Sequence, residues 1–501
     1  MNFMRTMVTL AACALPSCAA LMDGVTLVYS TNSTKLYSGT AVSGTALKSW
    51  SVGGYAVQFT EDGSLYYEGS GSGTCAVGTK YGSIGVVKAN GSTSTILSNA
   101  TGNGGLHHSF TVTSKGTILA ILGEYRTGTT ECSEKIVEVD PTTNQIIWTW
   151  HAQDHYTTTQ SVASKIYTGL WNSGSSDPLH FNSVSYDPTR DVIVVSAHAL
   201  QEVFLIDRSL DSTAAKGATG GNYGKGGDLL FRFGKPANYG ATGTAYISTA
   251  THGANIVPPG YPGAGNILLV ANVSPVYGGK ATGFEVVPVE SGTSFTQTTA
   301  GFSFSLRLAV AATGATSNFG GIQRLYNGNT VVTHPGLSIA NEYDVPASDA
   351  SATSLQSYAV SGSQYGIRRY PLCNAGLSAL GLSVYNSAAA GCDMSGSSSA
   401  TTISSSVTPS SSSSSSATSA NLQAGVMSSL QVVVSKSFIQ VQGAPAGALV
   451  RVLDVVGQLC YEATLDGALH LIGTTSWTQG VYLLQIRTNK ANWSRAIHLQ
   501  K

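Results

Sequence analysis

Short apolar runs broken by tight polar turns recur from residue 56 to residue 372. The stretch 177–207, DPLHFNSVSYDPTRDVIVVSAHALQEVFLID, shows the pattern most fully. Phe181, Val184 and Tyr186 predict one strand. Asp187-Pro188-Thr189-Arg190-Asp191 predicts a turn, and the apolar run Val192–Ala197 a second strand. Glu202–Asp207 predicts a third. Proline presets φ and aspartate hydrogen-bonds its own backbone, which is why these residues punctuate strands. The same strand–turn–strand pattern appears in AVQFTEDGSLYYEG (56–69), HHSFTVTSKGTILAILGEY (107–125), HGANIVPPGYPGAGNILLVAN (252–272) and GGIQRLYNGNTVVTH (320–334).

Most copies are followed by further strands, such as KIVEVDPTTNQIIWTW (135–150) and NEYDVP (341–346). A hairpin-plus-hairpin unit repeating every roughly 50–75 residues predicts a β-propeller rather than a sandwich. Five copies are visible, YGIRRYPL (365–372) opens a sixth, and VTLVYSTNSTKLYS (25–38) is expected to supply its outer strands and close the ring. The predicted fold is therefore all-β, a six-bladed propeller over residues 21–394. Residues 395–420 are almost all Ser, Thr and Ala, which cannot bury enough apolar surface to order themselves. Residues 395–425 accordingly read as a linker, and the alternating runs of 426–501 as a small C-terminal β-sandwich.

Composition narrows the setting. Lys+Arg and Asp+Glu are both 26, so no basic excess points to nucleic acid. Charged residues make up only 10% of the chain, against about 25% in typical domains. With 57 glycines and more Tyr (23) than Phe (13), this is the composition of a turn-rich exported protein. Arg5 precedes the apolar run 7–15, and Cys18-Ala19-Ala20 offers small residues for cleavage, so residues 1–20 read as a secretory signal. A lipoprotein signal with Cys18 as the lipidated residue is the other reading of that stretch. No further run approaches the roughly 18 apolar residues of a membrane helix. The expected location is secreted or at a bacterial cell surface. In an oxidising compartment the expected disulfides are Cys75–Cys132 and Cys373–Cys392, with Cys460 left as a small buried hydrophobe. The cysteine spacings fit no zinc pattern.

Candidate chemistry lies in the histidines, of which the chain has ten. His108, His180 and His252 each open a copy of the repeat, so ring symmetry would bring them together at one end of the central channel. His107 reads as structural, His151 and His155 as solvated loop residues, and His334 as the end of an inner hairpin. His470 and His498 lie in the tail, away from any chemistry. Arg324, Arg368 and Arg369 also open copies and either bind an anion or pair with blade carboxylates. GGNYGKGG (220–227) lacks the order of a phosphate loop.

The segments LHHSFTVTSKGTILAI, DPTRDVIVVSAHALQEVFLIDRS, GGNYGKGGDLLFRFGKP, THGANIVPPGYPGAGNILLVAN and GIQRLYNGNTVV together resemble the arylsulfotransferase (aryl-sulfate sulfotransferase) propellers. The resemblance implies transfer of a sulfuryl group from an aryl sulfate, through a sulfohistidine, to a phenol, with no metal, cofactor or nucleotide sulfate donor. It puts the nucleophile on His252 and assisting groups on His180, Asn182 and His108; Arg324 and Arg368 are candidate substrate ligands from their place in the repeat alone. Where well-studied members carry arginine, this chain has His198; a histidine cation there would titrate near about 6.5. The tail, through ALVRVLDVVGQLCYEATL (448–465), GVYLLQIRT (480–488) and RAIHLQK (495–501), resembles type IX secretion sorting domains. That resemblance implies the secretion machinery as a partner. An ordinary β-sandwich binding module is the alternative for the tail.

Sulfuryl transfer needs a neutral imidazole to attack in line, donors around three charged oxygens, and an acid for the leaving phenolate. Two other readings compete with it: a non-catalytic propeller binding a polysaccharide or a surface partner, and a histidine metal site.

Overall fold

The computed structural model describes residues 21–69, 75, 82–97, 105–170, 177–344, 352–360, 364–387 and 389, and in the C-terminal part 431–434, 438–442, 448–454, 459–464, 470–473, 480–487 and 492–499. The expected signal (1–20), the Ser-rich stretch 395–420 and Cys392 lie outside these residues. The chain divides into two compact units, Met1–Asp393 and Met394–Lys501.

The first unit is a six-bladed propeller of four-stranded antiparallel sheets. Numbered from the N-terminus, the inner strands of blades 2 to 6 are Val57–Phe59, Leu106–Val112, Phe181–Asp187, Thr251–Ile256 and Gly321–Arg324. Blade 1 takes its outer three strands, Gly24–Ser30, Ser33–Ser38 and Lys48–Trp50, from the start of the unit. Its inner strand, Gln364–Pro371, comes from the end. This is the closure expected from the sequence. The only α-helix among the described residues is the short Ala375–Ala379.

The blades pack through their apolar faces. Between blades 3 and 4 lie Leu119, Ile121, Trp148, Trp150, Phe181 and Phe204. Between blades 4 and 5 lie Val194, Leu205, Phe231, Leu269 and Phe284. Most of these strands are buried on both sheet faces, as in Val192–Ala197, where every residue is buried. That explains continuous apolar runs in place of strict alternation.

Charges are spent between blades. Glu138 of blade 3 holds Arg208 of blade 4, Glu285 of blade 5 holds Arg324 of blade 6, and Glu342 of blade 6 lies 3.8 Å from Arg369 of blade 1. Arg232 and Glu202 pair within blade 4, both fully buried. Removing one partner of such a pair costs about 3–5 kcal/mol, because the other charge is left buried. Arg324 therefore corrects the expectation of a substrate ligand. It ends its inner strand, is 2% exposed, and its guanidinium is committed to Glu285 and to Gly328 O. Arg368 is half-buried and hydrogen-bonds Tyr29 of its own blade.

Cys75 and Cys132 form the expected disulfide. Cys373 is also disulfide-bonded. His155 departs from the solvated-loop expectation: it is fully buried, stacked on Trp150 at 5.0 Å, and bonded to Asp228 Oδ1 and Ala215 O. The aromatic neighbour and the carboxylate, distant in sequence, turn a polar-looking loop into core.

In the second unit the described strands form a three-stranded and a four-stranded antiparallel sheet. Ile439, Val441, Val450, Val452, Tyr482, Leu484 and Ile486 are buried.

Closure by Gln364–Pro371 carries a direct test. A chain ending at residue 363 leaves the inner edge of the apolar strand Gly24–Ser30 unpaired, and its melting temperature should fall by more than about 10 °C against a chain ending at Asp393. Equal melting of the two, followed by circular dichroism, would contradict the closure.

Candidate active site

Inner strands of a propeller start at one end of the channel, and here those starts carry rings. Register breaks between Leu106 and Phe110, between Phe181 and Ser183, and between His252 and Asn255. At these irregularities His108 and His180 have φ of 56° and 52°, and Gly253 has φ of 65°. A left-handed non-glycine residue costs of order 1–2 kcal/mol, and bulges next to sites re-aim side chains. Two such residues, both histidines at equivalent places, mark this end of the channel independently of any motif.

The rings form a continuous circuit. His107 and His108 lie 5.1 Å apart between centroids, His108 and His180 4.5 Å, His180 and His198 4.4 Å, and His198 and His252 5.3 Å. The circuit continues from His252 to Phe319 at 6.5 Å, to Tyr365 at 5.1 Å and to Tyr55 at 4.1 Å. Tyr55 also stacks on Phe319 at 4.9 Å. Blades 3, 4 and 5 thus give the imidazoles, and blades 6, 1 and 2 give an aromatic wall. The sequence placed His108, His180, His198 and His252 here; it missed Phe319, Tyr365 and Tyr55. A signal existed: His252-Gly253, Phe319-Gly320 and Tyr365-Gly366 repeat one ring–glycine pair at successive inner-strand starts.

His252 is the best-defined group. Its Nδ1 lies 2.6 Å from Asn272 Oδ1. Asn272 Nδ2 donates to Thr316 Oγ1 and to Phe319 O, both at 2.8 Å. With the amide oriented by those two acceptors, Oδ1 accepts the Nδ1 proton of His252 and the lone pair rests on Nε2. Burial lowers the His252 pKa to about 3, with His198 and His180 adding to the fall and Asn272 opposing it. Asn272 sits on the second strand of blade 5, where no repeat position announced it.

His180 Nδ1 meets Asp177 Oδ2 at 2.5 Å, which fixes that ring. His198 is lowered to about 4 by burial first and by His180 second. That lowering favours the neutral ring at neutral pH over a cation in place of arginine. Four imidazoles this close cannot all carry charge. Asn182, expected as an assisting group, has both ends of its amide engaged. Its Nδ2 donates to Thr251 O at 2.7 Å and its Oδ1 accepts from Ser196 Oγ. These bonds tie blade 4 to the residue before His252. His107 is buried behind His108, and its Nδ1 lies 2.9 Å from His108 Nδ1.

His334 is 1% exposed, and neither of its ring nitrogens meets a hydrogen-bond partner among the described residues. Burial lowers it to about 4. Among the described residues no group of three or more His, Cys, Asp and Glu is arranged to hold a metal ion. No described helix is long and apolar enough to cross a membrane.

Among solved structures the chain is similar to a putative 6-phosphogluconolactonase from Bacteroides fragilis, at 10% identity and a TM-score of 0.39, covering 70% of this chain and 98% of that one. It is similar to the periplasmic gluconolactonase of Pseudomonas aeruginosa at 12% identity and a TM-score of 0.38, covering 69% and 98%. None of the curated proteins matches the chain. Residues 43–215, which hold His108, His180, Asn182 and His198, match the family model of the arylsulfotransferases (ASST).

Proposed function

We propose that this propeller is an arylsulfotransferase-like enzyme whose His252 carries a sulfuryl group from an aryl sulfate to a phenol. The observation that carries the reading is the fixed tautomer of His252. A half-buried, neutral imidazole whose Nδ1 proton is held by Asn272 presents Nε2 as a nucleophile. In the first half-reaction Nε2 attacks sulfur, the sulfur–aryl oxygen bond breaks, and its electron pair leaves as phenolate. His108 supplies the proton that makes it phenol. In the second, His108 takes the proton of the acceptor phenol, whose oxygen attacks sulfur and frees His252. His180 and His198, which lie between His108 and His252 along the arc, are suited to donate to the sulfuryl oxygens. The wall of Tyr55, Phe319 and Tyr365 is suited to stack an aryl group, since offset and edge contacts between rings add about 0.5–1.5 kcal/mol beyond area.

The disulfide Cys75–Cys132 supports an oxidising, exported setting. Assignment of residues 426–501 to export through the secretion machinery belongs to the same proposal.

His252→Ala should lose about a thousandfold or more of turnover, and two-substrate kinetics of the unaltered protein should be ping-pong. Retention of full turnover by that variant would sink the enzyme reading in favour of a binding propeller.

The acid limb gives a separate check. kcat/KM should hold from neutral pH down to about 5 and then decline as His198 and His252 protonate near about 4 and about 3. The sign follows from the lowered values: the active form is the deprotonated one, so activity is lost as pH falls. A decline above pH about 6.5 abolished by His198→Arg would instead restore the cationic role for His198.

Asn272→Ala should free the His252 ring and cut kcat by about ten- to a hundredfold while KM moves little, measured with 4-nitrophenyl sulfate as donor. A change in KM alone would contradict the tautomer argument.

A further inference from the structure

Behind the imidazole arc lies a second layer. Glu134, on the third strand of blade 3, is 0% exposed, and its Oε1 accepts from Phe181 N at 2.7 Å. The same Oε1 lies 3.3 Å from His107 Nε2, a nitrogen that makes no hydrogen bond among the described residues and has this carboxyl in reach. His107, itself 1% exposed, then faces His108 through the two Nδ1 atoms at 2.9 Å. Two Nδ1 atoms at that distance share one proton. Two protons would collide, and none would set lone pair against lone pair. The tautomer of His108 is therefore tied to that of His107, and through it to Glu134.

We infer that Glu134 and His107 form a buried proton relay through which His108 protonates the leaving phenolate without ever becoming an imidazolium. The inference rests on the sulfuryl-transfer reading and deepens it. The sequence of protons is balanced. Before transfer, Glu134 is a carboxylic acid, His107 carries its proton on Nδ1, and His108 carries its proton on Nε2. As the aryl oxygen leaves with its electron pair, the Nε2 proton of His108 goes to it. The Nδ1 proton of His107 moves to His108 Nδ1, and the carboxyl proton of Glu134 moves to His107 Nε2. The products are phenol, two neutral imidazoles in exchanged tautomers, and the Glu134 carboxylate. One negative charge is present before and after. In the second half-reaction the relay runs backward, His108 taking the acceptor's proton.

Electrostatics favour these starting states. Burial pushes Glu134 well above the usual carboxylate range, and the neighbouring Asp177 adds to it, while backbone N–H groups of Phe181 and His180 oppose. Burial lowers His107 to about 3, with Asp177 opposing and His180 adding. Burial holds His108 well below the ordinary imidazole value, and His107, His180, His252 and His198 push it further. An imidazolium acid at His108 is thus the costly alternative. A neutral imidazole backed by a carboxylic acid removes that cost.

Glu134→Gln tests the relay with little disturbance. Its amide oxygen can still accept from Phe181 N, so the backbone anchor of the side chain persists while the proton to be passed is gone. The readout is dependence on the leaving group, which a purely structural residue would not alter. With phenyl sulfate, whose phenolate needs an acid, kcat should drop about a hundredfold, and with 4-nitrophenyl sulfate the drop should be about tenfold smaller. KM should hold for both donors. Equal losses for the two donors, or none, in a variant whose circular dichroism matches the parent would overturn the relay and leave the transfer reading standing. A parent protein inactive on both donors would overturn the transfer reading itself. Should Glu134→Gln not fold, a proton inventory of the parent decides. Rate against deuterium content should curve for phenyl sulfate, reporting several protons in flight, and a straight line would refute the relay.

Discussion

Antiparallel pairing of Gln364–Pro371 with Gly24–Ser30 closes the ring, and the channel mouth exists only because of it. Six four-stranded sheets packed face to face around one axis turn their short inner edges into the channel, and every inner strand starts at the same end. That constraint gathers residues far apart in the chain: Tyr55, Phe319 and Tyr365 become neighbours, and His252 gains the aromatic wall beside it. The seam is reinforced by charge as well as by backbone. Arg369 of the closing strand bonds Tyr358 and Met22 O, while Met22 N donates to Glu342 Oε1 at 3.0 Å.

Charge is distributed in two regimes. Arginines of blades 4, 6 and 1 are sealed against glutamates between strands and blades, where they hold sheets in register and are unavailable to a ligand. The mouth carries imidazoles that burial keeps neutral. A guanidinium at position 198 would bring a permanent charge into that neutral arc; an imidazole brings donors and acceptors without one. The arrangement suits a ligand that arrives with its own negative charge, because an anion among neutral imidazoles shifts each of them toward protonation.

The ring, its closure and the three strand-opening histidines were legible because each depends on a period or an offset, and both survive in a single sequence. His108, His180 and His252 each stand near the opening of a repeat copy, and symmetry does the rest. Groups with no periodic place were not legible. Asn272 lies inside VANVS of a second strand and looks like an ordinary polar residue between apolar ones. Glu134 and His107 become a pair only when blade 3 folds. Arg324 and Arg368 occupy comparable places in the pattern, yet burial against Glu285 decides the first, and that burial is set by the neighbouring blade. His198 misled for a related reason: an isolated imidazole invites its ordinary pKa, and only the packed arc reveals the penalty for charging it.

Close approach of blades 5 and 6 explains why His252 needs no strained backbone of its own. In blades 3 and 4 the left-handed residue at the bulge is the histidine itself, but in blade 5 it is Gly253, one position after His252. A Cβ on Gly253 would lie 2.9 Å from Gly320 O and 3.1 Å from Gly321 Cα, so any side chain there would push the two blades apart. A Cβ on Gly320 would in turn lie 3.0 Å from Val270 Cγ1 and 3.4 Å from His252 Cβ. The two glycines let the strand starts touch, bring Phe319 O onto Asn272, and so orient the amide that fixes the His252 tautomer. Backbone contact between blades thereby sets which nitrogen of His252 holds the lone pair.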